Sequence, residues 1–325
     1  MPTRRRTITS TLVCLLAGTL ALPCAVLAQA YPSKTVTLVV PFAPGGGADT
    51  VARFVATQLQ QRLGQPVVVD NKPGAGGALA ADAVRRAPPD GHTLMIVTNT
   101  FVTNPAISKS SYDPVRDFTP VTTLGTSPYL LLVQQGAEFN SLADLVRAGK
   151  ARPDKLNFGS AGNGSITHLL GELLKQQAGF NAQHVPYKGT AAALVDLLGG
   201  QLQFAFADTA SAMPHVKAGK LRALVTTAPA RSPLLPDVPT SAEAGAKVEV
   251  IGFYGLLAPA GLPVEVLSKL NAEVTTVLGS TAVKDQFAAS LTDALAMPAD
   301  QFARRLAAEV VLWKDVVKKS GSKFD

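Results

Sequence analysis

Two α/β lobes joined by two extended crossings are the fold class this 325-residue sequence predicts. Three observations predict it. Short apolar runs rich in Val, Leu and Ile alternate with helix-like runs, as in sheets covered on both faces. Glycine-rich corners stand at the carboxyl ends of those runs, where open α/β sheets hold ligands. Two extended segments, near Thr122–Ser127 and Thr226–Ala228, break the alternation in the layout of a hinged cleft.

The elements follow in order. "TVTLVVPF" reads as a strand and leads into a helix ending near Leu63. "PVVVD" is followed by the helical "GALAADAVRRA", and "TLMIVTN" ends a third strand near Asn99. "DFTPVTTLGTSPYLLLVQQ" reads as a long extended segment, interrupted at Gly125 and Pro128. Alternation then restarts through "SLADLVRAGKA", "LNFGS", "ITHLLGELLKQQAG", "HVPY", "AALVDLLGG" and "LQFAFAD". "LRALVTTAP" is the second crossing, and the proline-rich "APARSPLLPDVPTSAEAG" reads as a surface loop. "EVIGFYGLLAP" is a returning strand, with helices from about Pro263 onward. The expected division is residues 31–124 and 227–325 in one lobe and 125–226 in the other.

Residues 1–30 read as a signal peptide. "MPTRRRTITS" is basic, "TLVCLLAGTLALP" is apolar, and "AVLAQA" offers small residues before a cut near Ala30. Ordinary export fits better than the twin-arginine route suggested by Arg4–Arg6. Pro23 stands before Cys24, where a lipoprotein signal wants a small residue, so lipidation is not expected. Removing this segment takes away both cysteines and three arginines, and the formal charge falls from +7 by three to +4. Thiolate chemistry is thereby excluded from the mature chain. No aromatic-basic cluster supports nucleic-acid binding.

Four corners share one chemistry. "PFAPGGGADT", "NKPGAGGALA", "TNT" at Thr98–Thr100 and "GSAGNGSITH" supply backbone N–H groups, hydroxyls and amides but no arginine. Glycine lets the backbone approach a ligand, and a helix N-terminus carries partial positive charge, so each corner suits an anion. Ordinary tight-turn chemistry is the competing reading for any one of them. Nucleotide readings fail on spacing. No Lys-Ser/Thr follows these glycines, and in "GAGGAL" Leu79 stands where a dinucleotide fingerprint wants its third glycine.

Enzyme readings are thin. Ser160 lacks the G-x-S-x-G elbow of hydrolases. Of the four histidines, His92 fits a turn cap, whereas His168, three residues after Ser165, can either face the cleft or pack. No His/carboxylate set has metal-ligand spacing. Asp49 lies in a first helical turn, where the helix dipole alone accounts for an acid. Asp208, at the end of "LQFAFAD", can cap the next helix or hold a ligand hydroxyl or amine. Phe42 is core-like but stands at a strand end, where it can also wall a pocket.

At these residues the sequence resembles a known family. "YPSKTVTLVVPFAPGGGADTVAR", "PVVVDNKPGAGG", "PPDGHTL" and "HVPYKGTAAALVDLLGG" are similar to the extracytoplasmic solute receptors of tripartite tricarboxylate transporters, the Bug family. The resemblance covers essentially the whole mature chain. It implies a two-lobed periplasmic-binding-protein (Venus flytrap) fold that delivers a carboxylated solute to a membrane permease. Grip on a carboxylate through first-lobe loops, often with bridging waters, is likewise implied. Carried over by motif, Phe42, Ala43, Gly46, Gly47 and Asp49 line the first loop, Gly76 and Gly77 the second, and Thr98, Asn99 and Thr100 the third strand end. Ser160, Gly164, Ser165, His168, Tyr187, Lys188 and Asp208 set specificity from the other lobe. Gly47 departs from the pattern, standing where Ser or Thr is common.

The resulting expectation is a monomeric periplasmic receptor for a di- or tricarboxylate or an aromatic acid. It needs no cofactor, metal or nucleic acid and performs no chemistry. Gly45–Gly47 and Gly76–Gly77 are expected to grip one carboxylate from two sides. An exported small-molecule hydrolase on a similar fold is the alternative, and a receptor that signals to a membrane sensor is a third reading.

Overall fold

Strand β1 (Val36–Val40) carries a buried side chain on both faces, because Leu38 and Val39 are both shielded from solvent. Helix α1 (Gly47–Leu63) covers one of those faces. It presents Val51, Ala52, Val55 and Leu59 inward at helical spacing and stops at Gly64, whose left-handed conformation lets its N–H bond the Gln60 carbonyl. The computed structural model describes residues 31–320 except 108 and 154, so the signal-peptide reading, Cys14 and Cys24 lie outside the described residues.

Strand β2 (Val67–Asn71), a 3-10 turn at Ala75–Gly77, helix α2 (Ala78–Arg85), strand β3 (Thr93–Val97) and helix α3 (Thr100–Ile107) complete the first α/β run. The long β4 (Phe118–Gln134) opens the second. It continues through α4 (Leu142–Ala151), β5 (Asn157–Ser160), α5 (Ile166–Ala178), β6 (Gln183–Pro186), α6 (Thr190–Leu198), β7 (Phe204–Asp208), α7 (Thr209–Lys217) and β8 (Leu221–Thr226). The chain returns through β9 (Ile251–Pro259), α8 (Val264–Gly279), α9 (Thr281–Ala288), the short β10 (Asp293–Ala294) and α10 (Ala299–Ser320).

Among the described residues the strands run in the order β2-β1-β3-β9-β4-β7-β5-β6, with β8 and β10 also paired to β4. The order divides at β4. Its first part, to Pro128, pairs antiparallel with β9. Its second part, from Tyr129, pairs antiparallel with β7 and β8. One strand therefore runs through both lobes. Gly125 and Pro128, read from sequence as interruptions, lie inside it. The backbone absorbs irregularity as register shifts between Pro120 and Thr122 and between Thr123 and Gly125. Proline's fixed φ suits extended backbone and removes only one donor.

The second crossing is tied to the first at Thr227, whose N–H donates to the Tyr129 carbonyl at 2.9 Å and whose hydroxyl joins the same seam. Tyr129 N–H donates to Thr227 Oγ1 at 2.8 Å, and that hydroxyl donates to the Val250 carbonyl at 2.6 Å. Helix α10 then packs back onto the first lobe, burying Phe302, Leu306 and Trp313. Truncating a fully buried side chain such as Leu59 costs about 2–5 kcal/mol. No described helix is long and apolar enough to cross a membrane.

The lobes touch across the cleft. Ala43 N–H donates to the Lys188 carbonyl at 2.9 Å, Thr103 Oγ1 to the Gly164 carbonyl at 3.0 Å, and Gly47 N–H to Ser211 Oγ at 2.7 Å.

Candidate functional site

Between the lobes lies a narrow cavity of about 30 Å³. Its walls are the first residues of helices. Gly46, Gly47 and Ala48 come from the start of α1, Thr98 and Thr100 from α3, Ile166 and Thr167 from α5, Thr190 from α6, and Asp208 from α7. Ser127 and Tyr129 of β4 with Phe253 and Tyr254 of β9 supply the floor, and Phe42 and Ala161 complete the lining. Each helix N-terminus presents unpaired N–H groups and partial positive charge. Helices α1 and α6 are capped by Gly46 and Gly189 with no side-chain cap bond; the first N–H of α1, on Gly47, goes to Ser211 Oγ, and α6 keeps its first N–H groups free of a capping side chain. No Lys, Arg or His is among the lining residues; the one formally charged side chain is Asp208.

Asp208 caps α7. Its Oδ1 accepts from Ser211 N–H at 2.9 Å and from the Tyr254 hydroxyl at 2.9 Å, while Ser211 Oγ stands 3.0 Å from Oδ1 and 2.9 Å from Oδ2. Ser211 Oγ in turn accepts the Gly47 N–H, so a chain of hydrogen bonds runs from the start of α1 to the start of α7. Burial, and secondarily the Asp208 charge, pushes the Tyr254 phenol well above its ordinary pKa, which keeps it a donor. A Cβ on Gly47 would stand 2.7 Å from both the Asp208 carboxyl carbon and the Tyr254 hydroxyl, so this close approach requires glycine.

A wider mouth of about 410 Å³ is walled by Pro41, Phe42 and Gly74–Gly77 on one side and by Ala161–Gly164 and Pro186–Lys188 on the other. Tyr187 donates to Asp196 Oδ2 at 2.5 Å, and Lys188 is exposed. Gly76 has φ +59°, and a Cβ there would meet the Asn163 carbonyl at 2.6 Å across the cleft. The two glycine corners are thus apart: Gly46 and Gly47 line the inner cavity and Gly76 and Gly77 the mouth. The expectation that Gly45–Gly47 and Gly76–Gly77 grip one carboxylate from two sides does not match this placement. The turn at Ala75–Gly77 carries the second corner outward before α2 begins.

Of the residues expected at the site, Phe42, Gly46, Gly47, Thr98, Thr100 and Asp208 line the inner cavity, and Gly76, Gly77, Gly164, Tyr187 and Lys188 the mouth. Six others stand elsewhere. Ala43 bridges the lobes through its backbone. Asp49 turns away to brace the first corner, accepting from Gly45 N–H, Arg53 and Asn71. Burial opposes its charge, yet those bonds outweigh burial and hold its carboxyl below the usual range. Asn99 Oδ1 accepts the Phe253 N–H at 3.0 Å, locking α3 to β9 behind the floor.

Ser165 is spent on capping α5, accepting the His168 N–H at 3.2 Å. His168 is buried, with Nδ1 accepting from Gly164 N–H at 3.3 Å and its ring stacked 3.7 Å from that of His184. Burial first, then the charge of Lys175, lowers the His168 pKa to about 4. Burial, then His168 and Lys175, lowers that of His184 to about 3. Ser160 Oγ lies 2.6 Å from His184 Nε2, a serine–histidine pair set behind the cavity wall. Neither member lines either cavity.

Sequence reading missed Tyr254, Phe253, Ser127, Tyr129, Thr190 and Ser211. Thr190 follows directly on "YKG", and Ser211 stands three residues after Asp208 in the pattern of a helix cap, so both carried a local signal. The β4 and β9 residues carried none, because their place at the floor depends on antiparallel pairing between segments far apart in sequence.

A two-lobed α/β cleft walled by helix N-termini defines the chain as a periplasmic binding protein in fold. The family follows. The chain belongs to the tripartite tricarboxylate transporter receptors, since the model described as "Tripartite tricarboxylate transporter family receptor" matches residues 51–322. Among solved structures it is similar to the periplasmic binding protein BugD, at 34% identity and a TM-score of 0.87 over 90% of this chain and 99% of that one. It is similar to MatC from Rhodopseudomonas palustris, solved with bound malate, at 37% identity and 0.85 over 88% and 100%. It is also similar to Rpa4515 of R. palustris, solved with adipate, at 36% and 0.86 over 90% and 98%. The chain is a solute-binding receptor of this family.

Proposed function

We propose that the protein captures an organic carboxylate in the cavity between its lobes and delivers it, chemically unaltered, to the membrane permease of a tripartite tricarboxylate transporter. The observation that carries this reading is the convergence of helix N-termini from both lobes on one cavity without a basic side chain. In such a site a carboxylate is held by oriented N–H groups and hydroxyls, each charge-assisted bond contributing about 1.5–3 kcal/mol. Malate in MatC and adipate in Rpa4515 support the ligand class.

Capture without chemistry fits the placement of the Ser160–His184 pair, neither member of which lines the cavity. Residues 31–124 and 227–325 then form one lobe and 125–226 the other, closing as a monomer about the Tyr129–Thr227–Val250 tie. Removal of residues 1–30 for release into the periplasm fits the anchoring of Tyr31, whose hydroxyl donates to the Gly91 carbonyl at 2.8 Å.

The test is a thermal-shift screen of mono-, di- and tricarboxylic acids, aliphatic and aromatic, each paired with its amide. Binding to the folded state raises apparent stability by mass action. The expected result is that acids shift the melting temperature and their amides do not. Amides that bind as tightly as the acids overturn the reading.

A further inference from the structure

We infer that the solute carries, beside the carboxylate held by the helix N-termini, a hydrogen-bond donor on the adjoining carbon, an ammonium or a hydroxyl, and that Asp208 selects it. This rests on the carboxylate reading above and adds a second requirement to it.

The reason is an imbalance around one carboxylate. Asp208 lines the cavity and supplies its one formal charge, a negative one. Two of its donors, Ser211 N–H and the Tyr254 hydroxyl, go to Oδ1. The Ser211 hydroxyl has a single proton for two oxygens, 3.0 Å and 2.9 Å away. A carboxylate offers about four acceptor positions, so Oδ2 has acceptor capacity left over. Asp208 is half-buried, and what it shows is turned to the cavity.

A ligand carboxylate brought beside it without a donor sets two anions together in a site with no cationic side chain. A donor between them satisfies Oδ2 and removes the repulsion. Gly47 makes the arrangement possible: any side chain there collides with Asp208, and with glycine the carboxylate of α7 reaches the start of α1. The acidic group and the anion-binding helix ends therefore recognise different parts of one solute, its donor and its carboxylate.

The experiment uses two matched sets of acids measured by calorimetry on the mature protein. One set is succinate, malate, aspartate and oxaloacetate; the other is glutarate, 2-hydroxyglutarate, glutamate and 2-oxoglutarate. Within the set of better length, the amino or hydroxy acid should bind at least about ten-fold more tightly than the unsubstituted and oxo acids. Asp208→Asn keeps a good helix cap and turns an amide donor toward the cavity. It should lower affinity for the amino acid and raise it for the oxo acid, reversing their order.

A folded Asp208→Asn protein with the same order as the parent overturns the proposal, as does tightest binding by an unsubstituted or oxo acid. If these sets fail while carboxylates lacking a donor bind, the proposal falls and the carboxylate reading stands. If no carboxylate binds, the reading beneath it falls.

Discussion

The carboxylate of Asp208 stands where a side chain on Gly47 would have to go, with the carboxyl carbon 2.7 Å from the position of a Cβ. These residues come from opposite lobes, at the first turn of α1 and the cap of α7. Gly47→Ala should not break α1, because alanine is a good residue within a helix and nothing there demands a left-handed backbone, although its Cβ also crowds the Tyr254 hydroxyl of β9. It should instead oppose closure. Overpacking of this kind costs about 1–3 kcal/mol, so affinity for the tightest carboxylate of the screen should fall by about five-fold or more. Calorimetry checks this, and unchanged affinity sinks it.

Gly76 makes the complementary case at the mouth. Its φ of +59° disfavours any Cβ, and the Asn163 carbonyl lies 2.6 Å from where one would stand. Gly76→Ala should lower unfolding stability by roughly 1 kcal/mol through backbone strain and weaken binding through imperfect closure. By contrast, a Cβ on Gly46 has Ser211 Oγ no nearer than 4.0 Å, so Gly46→Ala meets no collision and should cost only the poorer helix cap that alanine makes, leaving binding largely intact. Calorimetry on the two variants side by side tests the contrast, and equal losses of affinity would falsify the geometric distinction.

The stacked histidines give a pH dependence of stability. His168 titrates at about 4 and His184 at about 3 in the folded protein, below the 6.5 of an unconstrained side chain. The folded state thus favours the neutral rings, and below pH 6.5 the unfolded chain binds more protons. Stability should be level above about pH 7.5 and fall as pH drops toward 4, by at most roughly 3 kcal/mol for each ring. Lys175 and Glu172 face the same rings: Glu172 Oε1 lies 4.0 Å from His168 Nε2 and 2.8 Å from Lys175 Nζ. His168→Gln should flatten the slope between pH 6.5 and 4. An identical slope in parent and variant assigns the acid sensitivity to other groups.

The alternation of strands and helices was legible because both obey local rules: apolar period, glycine stops and small polar caps. The corners at Gly46–Gly47, Thr98–Thr100 and Asp208 were legible for the same reason, being strand ends that run into helices. His168 and Asn99 show where that legibility stops. Both stand at such corners, yet the His184 ring claims one and the β9 backbone the other. Those partners come from elsewhere in the chain, and no local pattern announces them. Tyr254 went unseen for the converse reason. Its "GFYGLL" setting reads as buried strand, and its hydroxyl reaches Asp208 only because β9 lies beside β4 at the cleft floor.

Lys188 distinguishes the two ends of the site. It is exposed at the mouth, while the inner cavity has no basic lining residue. A solute with one carboxylate at the helix N-termini and a second reaching outward would bring that second charge toward Lys188. The attraction is solvent-screened, so its contribution is small and depends on salt. Lys188→Ala should weaken a bound dicarboxylate by about two- to five-fold at low ionic strength and by less as salt is raised. Binding of a monocarboxylate of the same chain length should hardly change. Titrating adipate and hexanoate into parent and variant at two salt concentrations separates these effects. An equal loss for both acids, unaffected by salt, would mean that the Lys188 side chain acts through its aliphatic stem packing at the mouth and not through its charge.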